Sequence, residues 1–312
     1  MGFERITTRQ LPDKTVRRVY PFHISLEGME SVLLCRDDED YDTMTKYIHI
    51  CSWVNNVLVI TEIAMSNHGH VSVLAQDYDA ADRAGECIKK NYSQYLTWKY
   101  GENRTMKRAD VNVQYLDSDW YVRNTLAYIP RNALDAGSSV DEYPWSSYRA
   151  MFSSAPRDPL SRQVSALSRR DKESLLHTHA DLRGVPWLLD RNGRLDPATT
   201  CDREYLESAF NHDQAFYLKT IGNVNCAEMH QKLVAGPRRW QKDDEFYLTL
   251  SDTAGRWFQK KIPELTIEMK SRLIPYIFRC YRTSPSQLAR CLRLEVSQVE
   301  DILSHASLTR FK

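Results

Sequence analysis

The chain lacks the surplus of Lys and Arg that usually marks a nucleic-acid-binding protein. Its 42 basic residues face 41 acidic ones, for a formal net charge of +1. A nucleic-acid reading must therefore rest on local patches. No apolar run is long enough to cross a bilayer. Met1-Gly2-Phe3-Glu4-Arg5 has neither the basic start nor the apolar stretch of a signal peptide. None of the seven cysteines (Cys35, Cys51, Cys87, Cys201, Cys226, Cys280, Cys291) forms a CxxC pair, which argues against zinc ribbons and for reduced thiols. Internal repeats and low-complexity tracts are missing as well. These absences together predict a cytoplasmic protein with no membrane partner.

What the chain does contain is 312 residues, enough for two domains of ordinary size. Residues 16–26 read as a strand, with Phe22, Ile24 and Leu26 alternating onto one face. The acidic run Asp37-Asp38-Glu39-Asp40 suits the N-terminus of a helix, where negative charge meets the positive end of the dipole. Residues 57–65 and 70–73 read as the arms of a β-hairpin turning at Ser66-Asn67. Asp79 opens a second helix running to Tyr100, 111–116 form a further strand, and Asp117 or Ser118 caps a third helix. The order β-α-β-β-α-β-α predicts an α+β domain, an antiparallel sheet with helices on one face. The predicted domains are 1–152, a linker with short helices at 153–200, and an all-α domain at 201–312. With Trp145 and Tyr148 closing its core, a chain ending near Ser153 is expected to stand alone.

Two short segments about sixty residues apart carry the chemistry. His68 and His70, at i and i+2, fall on one face of a strand, where both imidazoles can bind one cation. Tyr128 and Asn132, at i and i+4, share a helix face. Each feature alone has an ordinary explanation: strand histidines are more often core or surface residues, buried tyrosines are common, and Asn132 suits a helix C-cap. Together they supply a nucleophile, a metal site and an oxygen ligand.

The same residues resemble a family. Met65-Ser66-Asn67-His68-Gly69-His70, the block from Tyr128-Ile129-Pro130-Arg131-Asn132 to Gly137, and Tyr143-Pro144-Trp145-Ser146-Ser147-Tyr148 resemble, in order and spacing, three segments of single-tyrosine HUH transposases. The likeness is particularly to the REP-associated tyrosine transposases, and it covers about the first half of the chain. It implies a ferredoxin-like HUH fold, Tyr128 as nucleophile, and Mg²⁺ or Mn²⁺ held by His68, His70 and Asn132. It also implies single-stranded or hairpin DNA as substrate, with palindromic repeat flanks, in a nucleoid-associated protein. Two departures have structural consequences. Gly69 is expected to weaken the strand. Pro130 removes a helical hydrogen bond and is expected to swing Asn132 off the Tyr128 face.

For DNA contact, Lys89, Lys90, Lys99, Arg104, Lys107 and Arg108, interleaved with Tyr92, Tyr95, Trp98 and Tyr100, form the densest basic patch. Residues 284–303 fit a helix-turn-helix that would present Arg293, Ser297 and Gln298 to a groove, although Glu295, Glu300 and Asp301 add unfavourable charge. The expected function is site-specific cleavage and rejoining of DNA through a 5′-phosphotyrosine. The rival is a DNA-binding regulator that keeps the fold without catalysis. A third reading, metal-dependent hydrolysis, needs a general base beside the histidines, and Glu62 is the only nearby carboxylate in sequence.

Overall fold

Large apolar side chains at every second position from Phe22 to Leu26 need a common face, and an extended backbone provides it. In the computed structural model, which describes residues 3–27, 33–101, 109–154, 159–233 and 241–308, that segment is the centre of a sheet. Strand β1 is Thr7–Gln10 and β2 is Val16–Glu27. Helix α1 (Asp38–Val54) leads to the hairpin β3 (Leu58–Ala64) and β4 (Gly69–Ala75). Helix α2 (Tyr78–Tyr100), β5 (Asp110–Tyr115) and α3 (Asp119–Arg131) follow. Strand β2 pairs antiparallel with β4 on one side and with β1 and β5 on the other, and β4 pairs antiparallel with β3.

Helices lie on both faces of this sheet, not on one as the sequence suggests. Gly85 of α2 lies so close to it that an added Cβ would stand 2.5 Å from Val111 and 3.0 Å from Ile24, placing α2 over the apolar face. Helix α3 covers the opposite face, where the Tyr128 ring meets His70, a strand neighbour of Val71 and so pointing the other way. Ser118 caps α3 by accepting the Tyr121 N–H, and Asp37 caps α1 by accepting the Asp40 N–H.

Beyond α3 come a small hairpin, β6 (Arg162–Gln163) with β7 (Leu188–Leu189), and between its arms α4 (Arg169–Leu176). Helices α5 (Pro197–Thr200), α6 (Arg203–Ala209), α7 (Gln214–Asn223) and α8 (Cys226–Leu233) follow. The expected boundaries at 152 and 200 do not match the division of the structure. One compact unit comprises Met1–Gln76 with Ala80–Gly236, and the other Asp77–Asp79 with Pro237–Lys312. The reason is burial: Leu206, Phe210, Tyr217, Ile221 and Leu233 share one apolar cluster with Leu126, Ala127 and Tyr128 of α3. In the second unit, α9 (Asp243–Phe258), α10 (Ile267–Cys280), α11 (Pro285–Leu292) and α12 (Val296–Leu308) enclose Phe246, Leu250, Leu273, Ile277, Leu288 and Val299.

Candidate functional site

Cross-strand register determines which side chains meet. Ser25 pairs with both His70 and Asn112, and His23 pairs with Ser72 and Gln114. Paired residues share a face, so the α3 side of the sheet carries a polar strip at its centre. His23 and His70 meet within it at 5.2 Å between ring centroids, their planes tilted by 35°. His68, immediately before β4, meets His70 edge-on at 4.9 Å. The Tyr128 ring of α3 meets His70 at 5.3 Å. The structure thus gathers three of the four residues singled out in the sequence, and adds His23.

The fourth, Asn132, ends α3. Its side-chain NH₂ donates to the carbonyls of Tyr128 (2.8 Å) and Ile129 (3.2 Å), so it caps the helix. Pro130 does not displace it: α3 runs through the proline to Arg131, and Asn132 follows within one turn of Tyr128. A missing N–H is tolerated so near a helix end. Nor does Gly69 stand in a special conformation. A Cβ there would make only ordinary contact, 3.7 Å from the Ile63 carbonyl.

Burial governs the electrostatics of the strip. It pushes the His23 imidazole down to about 3. Burial, then the positive potential of His230, brings His68 down to about 4. His70 is held well below the ordinary range by burial and by His68, His23 and His230. All three rings are therefore neutral at pH 7, the form in which imidazole lone pairs bind cations. His23 is fully buried, and both its ring nitrogens lack a hydrogen-bond partner among the described residues. His230, exposed on α8, and His23 were both missed in the sequence. For His23 the signal was present: it alternates with Phe22 and Ile24, so it had to face the side that carries His70.

A pH dependence follows. The unfolded chain has ordinary histidines, which bind protons below about pH 6.5, while folded His23 and His68 resist protonation until nearer pH 3–4. Between those limits unfolding takes up protons, so stability falls as pH drops. In chelator, thermal unfolding should shift steadily downward from pH 7 to pH 4.5. His23→Leu should flatten that slope, and an unchanged slope in the variant would remove His23 from the account.

Glu62 settles the third reading. It pairs with Val71, on the face away from His70, and its carboxylate lies near His49 and Cys201 instead. It is no general base for the His68–His70 pair. The Tyr143–Tyr148 segment also has a structural role, covering the free edge of β3. The Tyr143 hydroxyl donates to the Ala64 carbonyl (2.7 Å), Ala64 N–H donates to Trp145 O (2.9 Å), and Ile63 bridges to Ser146.

The basic patch is thinner than the sequence suggests. Lys99 donates to Asp37 and Asp40 and pairs with Glu39, pinning the end of α2 to the start of α1. Burial opposes its charge, but these hydrogen bonds hold its ammonium above the usual lysine range. Tyr92 and Tyr95 are core residues, whereas Trp98 is 71% exposed. Lys89 is half-buried and Lys90 exposed on α2. Arg104, Lys107 and Arg108 lie outside the described residues. In the second unit Arg293, Ser297 and Gln298 are exposed. Arg293 adopts the left-handed φ of 52° that glycine favours, and the Gln298 side-chain Oε1 accepts the Glu295 N–H.

Comparison with family models, with curated proteins and with solved structures gave no match to this chain.

Proposed function

We propose that the first unit cleaves and rejoins single-stranded DNA, using Tyr128 as nucleophile. The observation that carries this reading is the contact of His70 with Tyr128 on one side and His68 on the other, at 5.3 and 4.9 Å. Two neutral imidazoles side by side suit a divalent cation, and Asn132 retains its carbonyl oxygen while its NH₂ caps α3. His68, His70 and Asn132 would hold Mg²⁺ or Mn²⁺, which neutralises phosphate charge when bound. The strand order, with β4 and β5 flanking β2 and both α1 and α2 between strands in sequence, suits the ferredoxin-like HUH arrangement.

The protein's own residues do the rest. The Tyr128 ring is buried and wedged against His70, so its hydroxyl has one fixed direction of attack. Its oxygen forms a bond to phosphorus as the P–O3′ bond breaks. The phenol proton is lost, and the departing 3′ oxygen takes one up. The phosphodiester energy stays in the 5′-phosphotyrosine, so a 3′-hydroxyl can reverse the step without ATP. The exposed Arg293 and Ser297 of the second unit would add contacts to flanking DNA, in a nucleoid-associated transposase or a domesticated derivative.

The test is a gel: full-length protein, labelled single-stranded oligonucleotides from the DNA flanking the gene, and Mn²⁺, scored for a covalent adduct. The adduct should vanish in EDTA, return with Mg²⁺ or Mn²⁺, and be absent from the His68→Ala/His70→Ala protein. Full cleavage in chelator would sink the metal assignment. The burial of Tyr128, only 4% exposed, favours a second reading, a DNA-binding regulator without catalysis. Binding without any adduct on every strand tested would decide for it.

A further inference from the structure

A second cluster lies on the other face of the sheet, where β3 meets α1 and the segment after α5. His49 of α1, Glu62 of β3 and Cys201 each offer a ligand atom, and all three atoms lie within 4.8 Å of one another. His49 is 1% and Glu62 0% exposed. A buried carboxylate normally has close partners, because burial strips it of water. Glu62 Oε1 has no hydrogen-bond partner among the described residues, and neither has His49 Nδ1.

The His49–Glu62 spacing is too long for a hydrogen bond and close to that of two ligands on one ion. His49 Nε2 stands 3.7 Å from Glu62 Oε1, beyond N–H···O range. Cys201 Sγ–H donates to Glu62 Oε2 over 3.5 Å. Zinc bond lengths place N and O ligands about 3.4 Å apart, and S and O ligands about 3.6 Å apart, on a tetrahedron. Thr200 Oγ1 lies beside the cluster, hydrogen-bonded to His49 Nε2 at 3.2 Å and 3.9 Å from Cys201 Sγ. A cavity of about 360 Å³ is lined by His49, Thr200 and Cys201, among others.

We propose that His49, Glu62 and Cys201 form a binding site for a zinc-class divalent cation that ties α1, β3 and the start of α6 together. The donor set excludes Mg²⁺ and Mn²⁺ as the preferred ion, because a thiolate is a soft ligand. Charge balances: one divalent ion, one carboxylate, one thiolate and a neutral imidazole sum to zero, so no net charge is buried. Binding displaces the Cys201 proton to solvent. Because binding releases that proton, affinity should rise with pH.

Cobalt substitution reads this site directly, since only a thiolate ligand gives Co²⁺ an intense near-ultraviolet charge-transfer band. Full-length protein stripped of metal should take up one Co²⁺ with that band, and Zn²⁺ should displace it and raise the unfolding temperature. The band should persist in His68→Ala/His70→Ala, which lacks the other cluster, and be lost in Cys201→Ala. Glu62→Gln keeps the shape of the site and should weaken Zn²⁺ binding at least tenfold; it serves if Cys201→Ala does not fold. Absence of the band in the unsubstituted protein, or an unchanged Zn²⁺ affinity in Glu62→Gln, would overturn the site.

Discussion

Tyr128→Phe should abolish the covalent protein–DNA adduct, by a factor of at least about a thousand, while leaving DNA binding within a factor of two or three. Removing a nucleophile outright costs catalysis on that scale or more, because no other group stands at the reacting atom. The ring itself stays. Tyr128 packs in the cluster that holds Leu126, Ala127 and Tyr217, and phenylalanine fills the same space, so the fold is retained. Tyr121, the nearest earlier tyrosine on α3, is an unsuitable substitute: its hydroxyl donates to the Lys232 carbonyl (3.4 Å), and burial pushes its phenol up. Tyr121→Phe should therefore leave the adduct intact. The decisive measurement is a denaturing gel of both variants beside the parent protein. An adduct that persists in Tyr128→Phe and disappears in Tyr121→Phe would reverse the assignment.

The second large effect concerns truncation, and here the structure reverses the sequence expectation. A chain ending near Ser153 should not fold, whereas a chain ending at Gly236 should unfold cooperatively and still form the adduct. Helices α6 to α8 are part of the first unit's core. Tyr205, Leu206, Phe210, Tyr217 and Leu233 are each at most 1% exposed. Each such side chain contributes about 1.5–3 kcal/mol of burial, so losing five removes most of a typical stability of about 5–15 kcal/mol. Polar ties go as well: Arg123 Nε donates to Ala209 O (2.6 Å), Asn112 to Leu233 O (2.6 Å), and Tyr205 Oη to Arg5 O (2.7 Å). The deleted segment also carries His230, whose charge bears on His68 and His70. Urea titration followed by circular dichroism separates the two chains. A cooperative transition in the 153-residue chain would show that the later helices are decoration. If the longer chain keeps its adduct but binds flanked DNA less tightly than the full protein, the second unit supplies target affinity; superimposable binding curves would assign that unit elsewhere.

Local physics made much of this legible beforehand. Period-two alternation from Phe22 to Leu26 marked a strand, and that strand runs Val16–Glu27. The acidic run from Asp37 marked a helix start and Asp117 or Ser118 a cap; Asp37 and Ser118 are the capping residues, because short polar side chains satisfy the first free N–H groups. Gly101, with φ +67°, ends α2 as a glycine in the left-handed region does. The spacings within His68–His70 and Tyr128–Asn132 also depend only on nearby backbone, so those residues could be singled out from the chain alone.

What only the tertiary structure decided involves partners far apart in sequence. That α3 lies over the face opposite α2 depends on packing, and it is what brings Tyr128 to His70. Glu62 could not be oriented from sequence because a hairpin turn separates it from His68, and one residue of register reverses every side chain. His49, Glu62 and Cys201 meet across 152 residues of chain, from position 49 to position 201, and no spacing rule reaches that far. The boundary near 236 was hidden for a related reason. Residues 201–233 read as helices wherever they pack, and only the apolar surface of α3 determined that they belong with the sheet.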